Sequence, residues 1–266
     1  MTNKHDIMWF DSLDSTNDEA ARHISDIDNL SVLSALEQSK GRGQKGNSWL
    51  SAPGINLTFS VVLKYAQTLP ESLKSGLLMP LKATDQFAVS EAAALSVVDL
   101  LSECGIQAEI KWPNDIYVDG KKICGILIEH AVRGGNLAHS IVGIGLNVNQ
   151  SEFDQTLPNP TSMILCRADH DGCESFDTRL CLEYFMTIFS GYVGRFLHSN
   201  GGLRHLRRMY LNQMWGKDKV MEFIDNKSGT RFQGIIRGLS DVGLLKVENE
   251  KGELIEFAFK EISYIL

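Results

Sequence analysis

Residues 139–149 read HSIVGIGLNVN, and their alternation limits what this chain can build. In a strand, Val142, Ile144, Leu146 and Val148 share one face, while Ile141, Gly143, Gly145 and Asn147 share the other. The first face demands an apolar core. The second has two glycines in succession, which strips side chains from a place where something must approach the backbone closely. A neighbouring helix and a flat ligand such as an adenine ring both meet that requirement.

Around this strand the pattern alternates between two periods. INLTFSVVLK, 55–64, reads as a strand, and 66–83 as a loop with a short helix. QFAVSEAAALSVVDLLSEC, 86–104, has helical spacing, with Thr84 or Asp85 as its cap and Gly105 as its stop. AEIKWPNDIYV and KICGILIE read as two strands joined at Asp119-Gly120-Lys121, because Asp-Gly favours tight hairpins. Residues 150–176 are irregular. A long amphipathic helix capped by Asp177 follows, ended by Gly201-Gly202, and then a shorter helix running to about Trp215. From Lys217 onward only short strands separated by turn signals remain, the signature of a small barrel of SH3-like size. The expected organisation is a larger domain over 1–215 and a small β domain over 216–266.

Bulk properties exclude several classes. With 266 residues, 43% hydrophobic and 22% charged, the chain has the make-up of a globular protein. No apolar run approaches the roughly 20 residues a bilayer span needs, and the start lacks the form of a signal peptide, so no membrane partner and a cytoplasmic location are expected. The five cysteines, Cys104, Cys124, Cys166, Cys173 and Cys181, have no CxxC spacing and support neither a disulfide framework nor a zinc site. A net charge of −7 gives no global attraction to nucleic acid, so any anion site must be local.

One such place is QSKGRGQKGNSW, 38–49. Its glycines give up much conformational freedom on ordering, and Arg42 and Lys45 point to an anion as the compensating ligand. Taken alone the stretch also fits a solvated turn. It is joined, however, by DSTN (14–17), KWPND (111–115), GKKICG (120–125) and GIGLNVN (143–149). In this order and at these spacings the five stretches resemble the biotin protein ligases, from about residue 9 to the C-terminus. GRG followed by Gly46 and Trp49, and KWPND followed by Lys122 and Gly125, carry the resemblance most specifically.

The resemblance implies an α+β fold like that of class II aminoacyl-tRNA synthetases: a mixed sheet flanked by helices, with the C-terminal SH3-like barrel. It also implies a reaction. Biotin and ATP form biotinyl-5'-adenylate and pyrophosphate, and the acyl group then passes to a lysine of a biotin carboxyl carrier protein. Two anions must meet, which calls for fixed positive charge and backbone N–H donors. By resemblance, Lys122 reaches both the carboxylate and the α-phosphate, Asp115 orients or deprotonates the acceptor amine, and Arg42 completes the catalytic set. Ser15, Thr16, Asn17 and Gln38 match the ureido-binding positions, with Arg42, Gly43, Gln44, Trp49, Lys122 and Gly125 also on the biotin side. Arg42, Lys45, Gly46, Lys111, Trp112, Asn114, Lys122 and Asn147 fall on the ATP side.

Each of these residues has a plainer reading in the sequence. DSTN also suits a helix N-cap, Asp115 a turn cap, Lys122 a solvated hairpin and Trp49 core packing. Mg²⁺ is implied by ATP chemistry, but its ligands are not legible. Gln44 and Asn47 stand where many members of the family carry Arg, which implies looser retention of the adenylate. The early position of DSTN leaves no space for the DNA-binding domain that some members carry, so no DNA partner is expected. A homodimer through a sheet edge is left open. The rivals are a lipoate or octanoate ligase of the same fold and a non-catalytic biotin sensor. The glycine loop, 41–48, is expected to be mobile when empty and to wrap the ligand when full.

Overall fold

The computed structural model describes residues 6–43, 48–66, 78–167, 175–197 and 199–265. Seven strands form the main sheet: β1 (Ile7–Leu13), β2 (Val32–Gln38), β3 (Leu57–Lys64), β4 (Glu109–Lys111), β5 (Asp115–Val118), β6 (Lys121–Arg133) and β7 (Asn136–Leu146). Their order is β1-β2-β3-β7-β6-β5-β4, with β1 and β2 parallel and every other neighbouring pair antiparallel. Helix α1 (Thr16–Arg22) lies in the β1–β2 connection, and α2 (Phe87–Glu103) in the connection from β3 to β4. After β7 come the short α3 (Met163–Cys166), then α4 (Thr178–Phe196) and α5 (Asn200–Asn212).

The two faces of β7 have the fates their composition requires. Val142, Ile144 and Leu146 join Leu57, Phe59 and Val61 of β3 in a core shared with α2, α4 and α5. Nearly all of α2 is buried, from Ala88 to Leu101, as suits a helix apolar all round. Opposite, Ile141 packs with Leu33, Val62 and Ala20 under α1. That second layer is short, and it leaves Gly143 and Gly145 for the cavity described below.

The C-terminal strands β8 (Val220–Asp225), β9 (Thr230–Leu239), β10 (Leu245–Asn249), β11 (Leu254–Phe257) and β12 (Ile262–Tyr264) form a separate antiparallel sheet, in the order β11-β10-β9-β8-β12. This is the small β unit expected from the spacing of the turns. The segment leading into it from α5 is tied to β4 of the main sheet through backbone: Ile110 N–H donates to Gln213 O and Trp215 N–H to Ile110 O. Its apolar residues Phe223, Ile236 and Val247 continue the same hydrophobic cluster as the main core.

Several local expectations need correction. β1 and β2 were not foreseen as strands. AEIKWPNDIYV is two strands, β4 and β5, turned back on each other at Trp112–Asn114, where the Trp112-Pro113 bond is cis. Thr84 and Asp85 lie in a 3₁₀ turn, and Gln86 holds the N-cap position of α2. Gly201 and Gly202 open α5 and do not end α4. At Gly202 a Cβ would lie 2.4 Å from Phe196 O, so this close helix–helix corner needs glycine. Asp177 does cap α4, accepting from Arg179 and Leu180 N–H. Ser15 holds the N-cap position of α1, but its side chain makes no capping bond.

Candidate active site

The register of the sheet gathers the polar motifs onto one face. Asp115 pairs with Gly125, Gly125 with Gly145, and Gly145 with Thr58, so these four residues form a rung whose side chains point the same way. Lys111 pairs with Asp115 and joins that face. Lys122 stands three residues from Gly125, an odd spacing that would send it to the opposite side of a regular strand. A β-bulge corrects this: Ile123 is left unpaired between Cys124, opposite Ile116, and Lys122, opposite Tyr117. Lys122 Nζ then lies 2.7 Å from Asp115 Oδ1, with both side chains about one-third exposed. Asp115 lacked an obvious basic partner in sequence; the bulge supplies one.

Above this pair opens a cavity of about 700 Å³, lined by residues from all five motifs and by Ile262–Tyr264 of the C-terminal sheet. The glycines of β7 make its floor. A Cβ on Gly145 would fall 2.2 Å from Trp49 Cε2, and one on Gly143 would fall 2.2 Å from Asn17 Oδ1. What approaches the bare strand face is therefore an indole ring and a side chain of α1. Trp49 lines the cavity, with Lys122 Nζ 6.0 Å from the ring centroid.

One end of the cavity is a closed hydrogen-bond network. Thr16 N–H donates to Gln38 Oε1 at 2.8 Å, and Ser60 Oγ lies 2.7 Å from Thr16 Oγ1 and donates to Asn17 Oδ1 at 2.6 Å. Asn17 Nδ2 donates to Glu129 Oε2 at 2.8 Å and to Leu127 O at 3.3 Å. Arg42 faces Glu129 with both Nη atoms, at 3.1 and 2.7 Å, and reaches Asp18 Oδ1 at 2.8 Å. So Ser15, Thr16, Asn17, Gln38 and Arg42 do come together. Two carboxylates that sequence reasoning missed, Asp18 and Glu129, hold the guanidinium. A charge pair spanning 87 residues leaves no local signal.

The glycine loop is pinned at its base by an Arg42–Ser48 bridge and by Trp49 N–H donating to Gly41 O at 2.9 Å. Gln44, Lys45, Gly46 and Asn47 lie outside the described residues, together with the expectations about loop mobility and adenylate retention that rest on them. Gly43 and Gly125 line the cavity.

The other end is aromatic and less complete. Lys111 Nζ bonds Tyr117 OH at 3.0 Å and lies 4.6, 5.6 and 4.9 Å from the ring centroids of Tyr117, Trp215 and Tyr264. Burial among these rings lowers its pKa, opposed by the charge of Asp115. Trp112 is buried, and its Nε1–H donates to Gly243 O at 3.0 Å. Asn114 Nδ2 donates to Ile126 O, and Asn147 Nδ2 to Thr161 O at 2.9 Å. Three buried side-chain polar atoms have no partner among the described residues: Trp49 Nε1, Asn147 Oδ1 and Tyr264 OH. All three residues line this cavity. A donor, an acceptor and a hydroxyl left unpaired along one cavity are what a polar ligand would satisfy.

Among the described residues no group of three or more His, Cys, Asp or Glu side chains is placed to hold a metal. Within the cavity Asp115 is engaged with Lys122. The four described cysteines, Cys104, Cys124, Cys166 and Cys181, are free thiols, and no described helix is long and apolar enough to cross a membrane.

Residues 9–147 match the model of the biotin/lipoate A/B protein ligase family. The chain belongs to this family. A family relative, the biotin–[acetyl-CoA-carboxylase] ligase of Paracoccus denitrificans, is 34% identical over 91% of this chain and 94% of its own length. The bifunctional ligase/repressor BirA of Bacillus spizizenii is 28% identical over 83% of this chain, and the match spans 62% of that protein. Among solved structures, the biotin protein ligase of Aquifex aeolicus in complex with biotin and ATP superposes with a TM-score of 0.74 at 25% identity, covering 97% of each chain. The family's fold, α+β with a small C-terminal β unit, is the one described above.

Proposed function

We propose that this protein is an ATP-dependent biotin protein ligase that makes biotinyl-5'-adenylate and transfers biotin to a lysine of a biotin carboxyl carrier protein. The observation that carries the reading is the Lys122–Asp115 pair, held at 2.7 Å on the floor of the cavity between its closed polar end and its aromatic end. A ligand with a ureido head suits the first end and a nucleotide the second. The relatives named for biotin ligation, and the biotin and ATP complex of a structural neighbour, support it.

In the first step a carboxylate oxygen of biotin attacks the α-phosphorus of ATP, and the bond to pyrophosphate breaks. Lys122 serves as a mobile point charge between the two anions. Arg42 contributes by exchanging Glu129 and Asp18 for ligand oxygens. In the second step the ε-amine of the carrier lysine attacks the acyl carbon and AMP leaves. An amine of reference pKa about 10.4 is mostly protonated at neutral pH, so Asp115 accepts or directs the proton it must lose. The mixed anhydride between the steps needs shelter from water. Mg²⁺ bound with ATP would neutralise phosphate charge, and one or two carboxylates are the usual extent of a protein's share in such a site. Residues 1–215 carry the chemistry in this reading, and the domain 216–266 closes the aromatic end.

The test is pyrophosphate release from Mg-ATP with biotin, and separately with lipoate or octanoate, followed by intact mass of an added carrier domain. Biotin-dependent release with a biotinylated carrier supports the reading. Turnover with lipoate or octanoate alone moves the substrate, and binding without turnover leaves a sensor.

A further inference from the structure

The aromatic end of the cavity is held by a residue that does not line it. We propose that Arg207 of α5 is a positioning residue for Trp112, acting through the 240–243 turn of the C-terminal sheet. The inference rests on the nucleotide-side role assigned to Trp112 above.

The guanidinium joins three parts of the molecule. Its Nε donates to Glu91 Oε1 of α2, a carboxylate 1% exposed. Nη1 donates to Ser240 O, and Nη2 to Asp241 O at 3.4 Å. Phe87 lies beneath it, 5.5 Å from ring centroid to Cζ. The same ring packs on Gly243, where a Cβ would sit 2.4 Å from Phe87 Cγ and where φ is +91°, so that no other residue fits easily.

From Arg207 to the cavity the connection is continuous and stiff. Gly243 N–H donates to Ser240 O at 3.0 Å, Ser240 N–H to Leu244 O at 2.9 Å, and Leu244 N–H to Ser240 Oγ at 3.0 Å. The turn therefore moves as one piece. Its Gly243 carbonyl accepts the Trp112 indole N–H, so placing the turn places the ring. One helical turn further along α5, Tyr210 OH donates to Pro113 O at 2.9 Å. α5 thus fixes the Trp112-Pro113 corner twice, directly at Pro113 and through Arg207 at Trp112.

Chemistry explains why arginine stands there. Serving one carboxylate and two carbonyls in different directions takes the planar fork of five donors; lysine keeps the charge and loses the fork. A buried pair is not by itself a strong source of stability, and a well-packed apolar pair often does as well. What such a pair would not supply is the grip on the 240–243 carbonyls.

The test compares wild type with Arg207→Lys, Glu91→Gln, Trp112→Phe and the Arg207→Lys/Trp112→Phe double variant, all as full chains. Two measurements are made: hydrogen exchange of the Trp112 indole N–H by NMR without ligand, and KM for ATP and for biotin in pyrophosphate release. Arg207→Lys is expected to speed the indole exchange at least tenfold, and to raise KM for ATP about tenfold with KM for biotin within twofold. Glu91→Gln keeps an acceptor for Nε and should change neither. In the Trp112→Phe background, Arg207→Lys should raise KM for ATP less than threefold further. Unchanged indole exchange in Arg207→Lys, or a full tenfold effect persisting without the indole, overturns the proposal. Should Arg207→Lys fail to fold, Phe87→Leu replaces it and must move exchange and KM for ATP in the same direction by about threefold. A wild-type chain that releases no pyrophosphate with any carboxylate defeats the ligase reading instead, while the exchange measurement still decides the clamp.

Discussion

The two ends of the cavity solve opposite problems. Around α1, Thr16 N–H donates to Gln38, the side chains of Thr16, Asn17 and Ser60 bond one another, and Glu129 and Asp18 neutralise Arg42. Around the C-terminal sheet, Asn147 Oδ1 and Tyr264 OH remain unpaired while aromatic rings surround Lys111. The first end is organised in advance and must exchange partners on binding. The second end keeps unmet hydrogen-bonding capacity and gains partners outright. Preorganisation lowers the cost of ordering, whereas a buried orphan is paid for in the empty state.

The largest effect is expected where the ends meet. Lys122→Ala removes the cation that stands between them beside Asp115, and adenylate formation, measured as biotin-dependent pyrophosphate release, should fall about 10³-fold, the scale of losing a charge-stabilising group. An effect confined to the KM of one substrate would assign Lys122 to one end. Next, Gly143→Val drives a side chain into Asn17 and should raise KM for biotin about 10- to 100-fold, in line with overpacking costs of 1–3 kcal/mol, with KM for ATP little changed. Equal loss for both substrates would mean that the ends are not independent.

A control outside the cavity lining is provided by His130, next to Glu129 but on the opposite face of β6, whose Nδ1 lies 2.8 Å from Ser140 Oγ. Burial, then the charge of His139, pushes its pKa down to about 4. Because the folded-state value is lowered, the unfolded chain binds the extra proton first. The stability contribution is present above about pH 6.5 and lost as pH falls through about 4, worth about 2 kcal/mol after allowing for partial exposure. Denaturant melts at pH 7 and pH 4 should show this loss in wild type and less of it in His130→Gln, with substrate KM at pH 7 unaffected. The smallest effect is at Tyr264. Tyr264→Phe deletes an unpaired buried hydroxyl, so the ligand-free chain should be unchanged or stabilised by about 1 kcal/mol in thermal melts. Destabilisation by more than that would show that the hydroxyl is already satisfied, and would weaken the contrast between the ends.

What the sequence disclosed follows the range of the interactions. The alternation at 139–149 announced both the core face and the bare face of β7, and the periodicity of 86–104 announced a buried helix. Turn signals marked the C-terminal strands one by one. β1 and β2 escaped because they pair in parallel across α1, and neither IMWFDSL nor VLSALEQ alternates strictly between apolar and polar residues. The motifs named the residues of the cavity but not their partners. Glu129 reads as the ordinary end of an apolar strand, and Asp18 as a first-turn helix acid, until the fold brings Arg42 between them. Arg207 and Gly243 are silent for the same reason.

The bulge at Ile123 carries a consequence of parity. Lys122 and Gly125 sit an odd number of positions apart, yet share a side of the sheet, so one residue between them is uncounted by the pleat. Deleting Ile123 would leave an even interval, and the ammonium would still point into the cavity. What would change is the acceptor of Asn147 N–H, which Ile123 O now supplies at 3.0 Å. The aim of the lysine thus survives the loss of the extra residue, whereas the present anchorage of the asparagine does not.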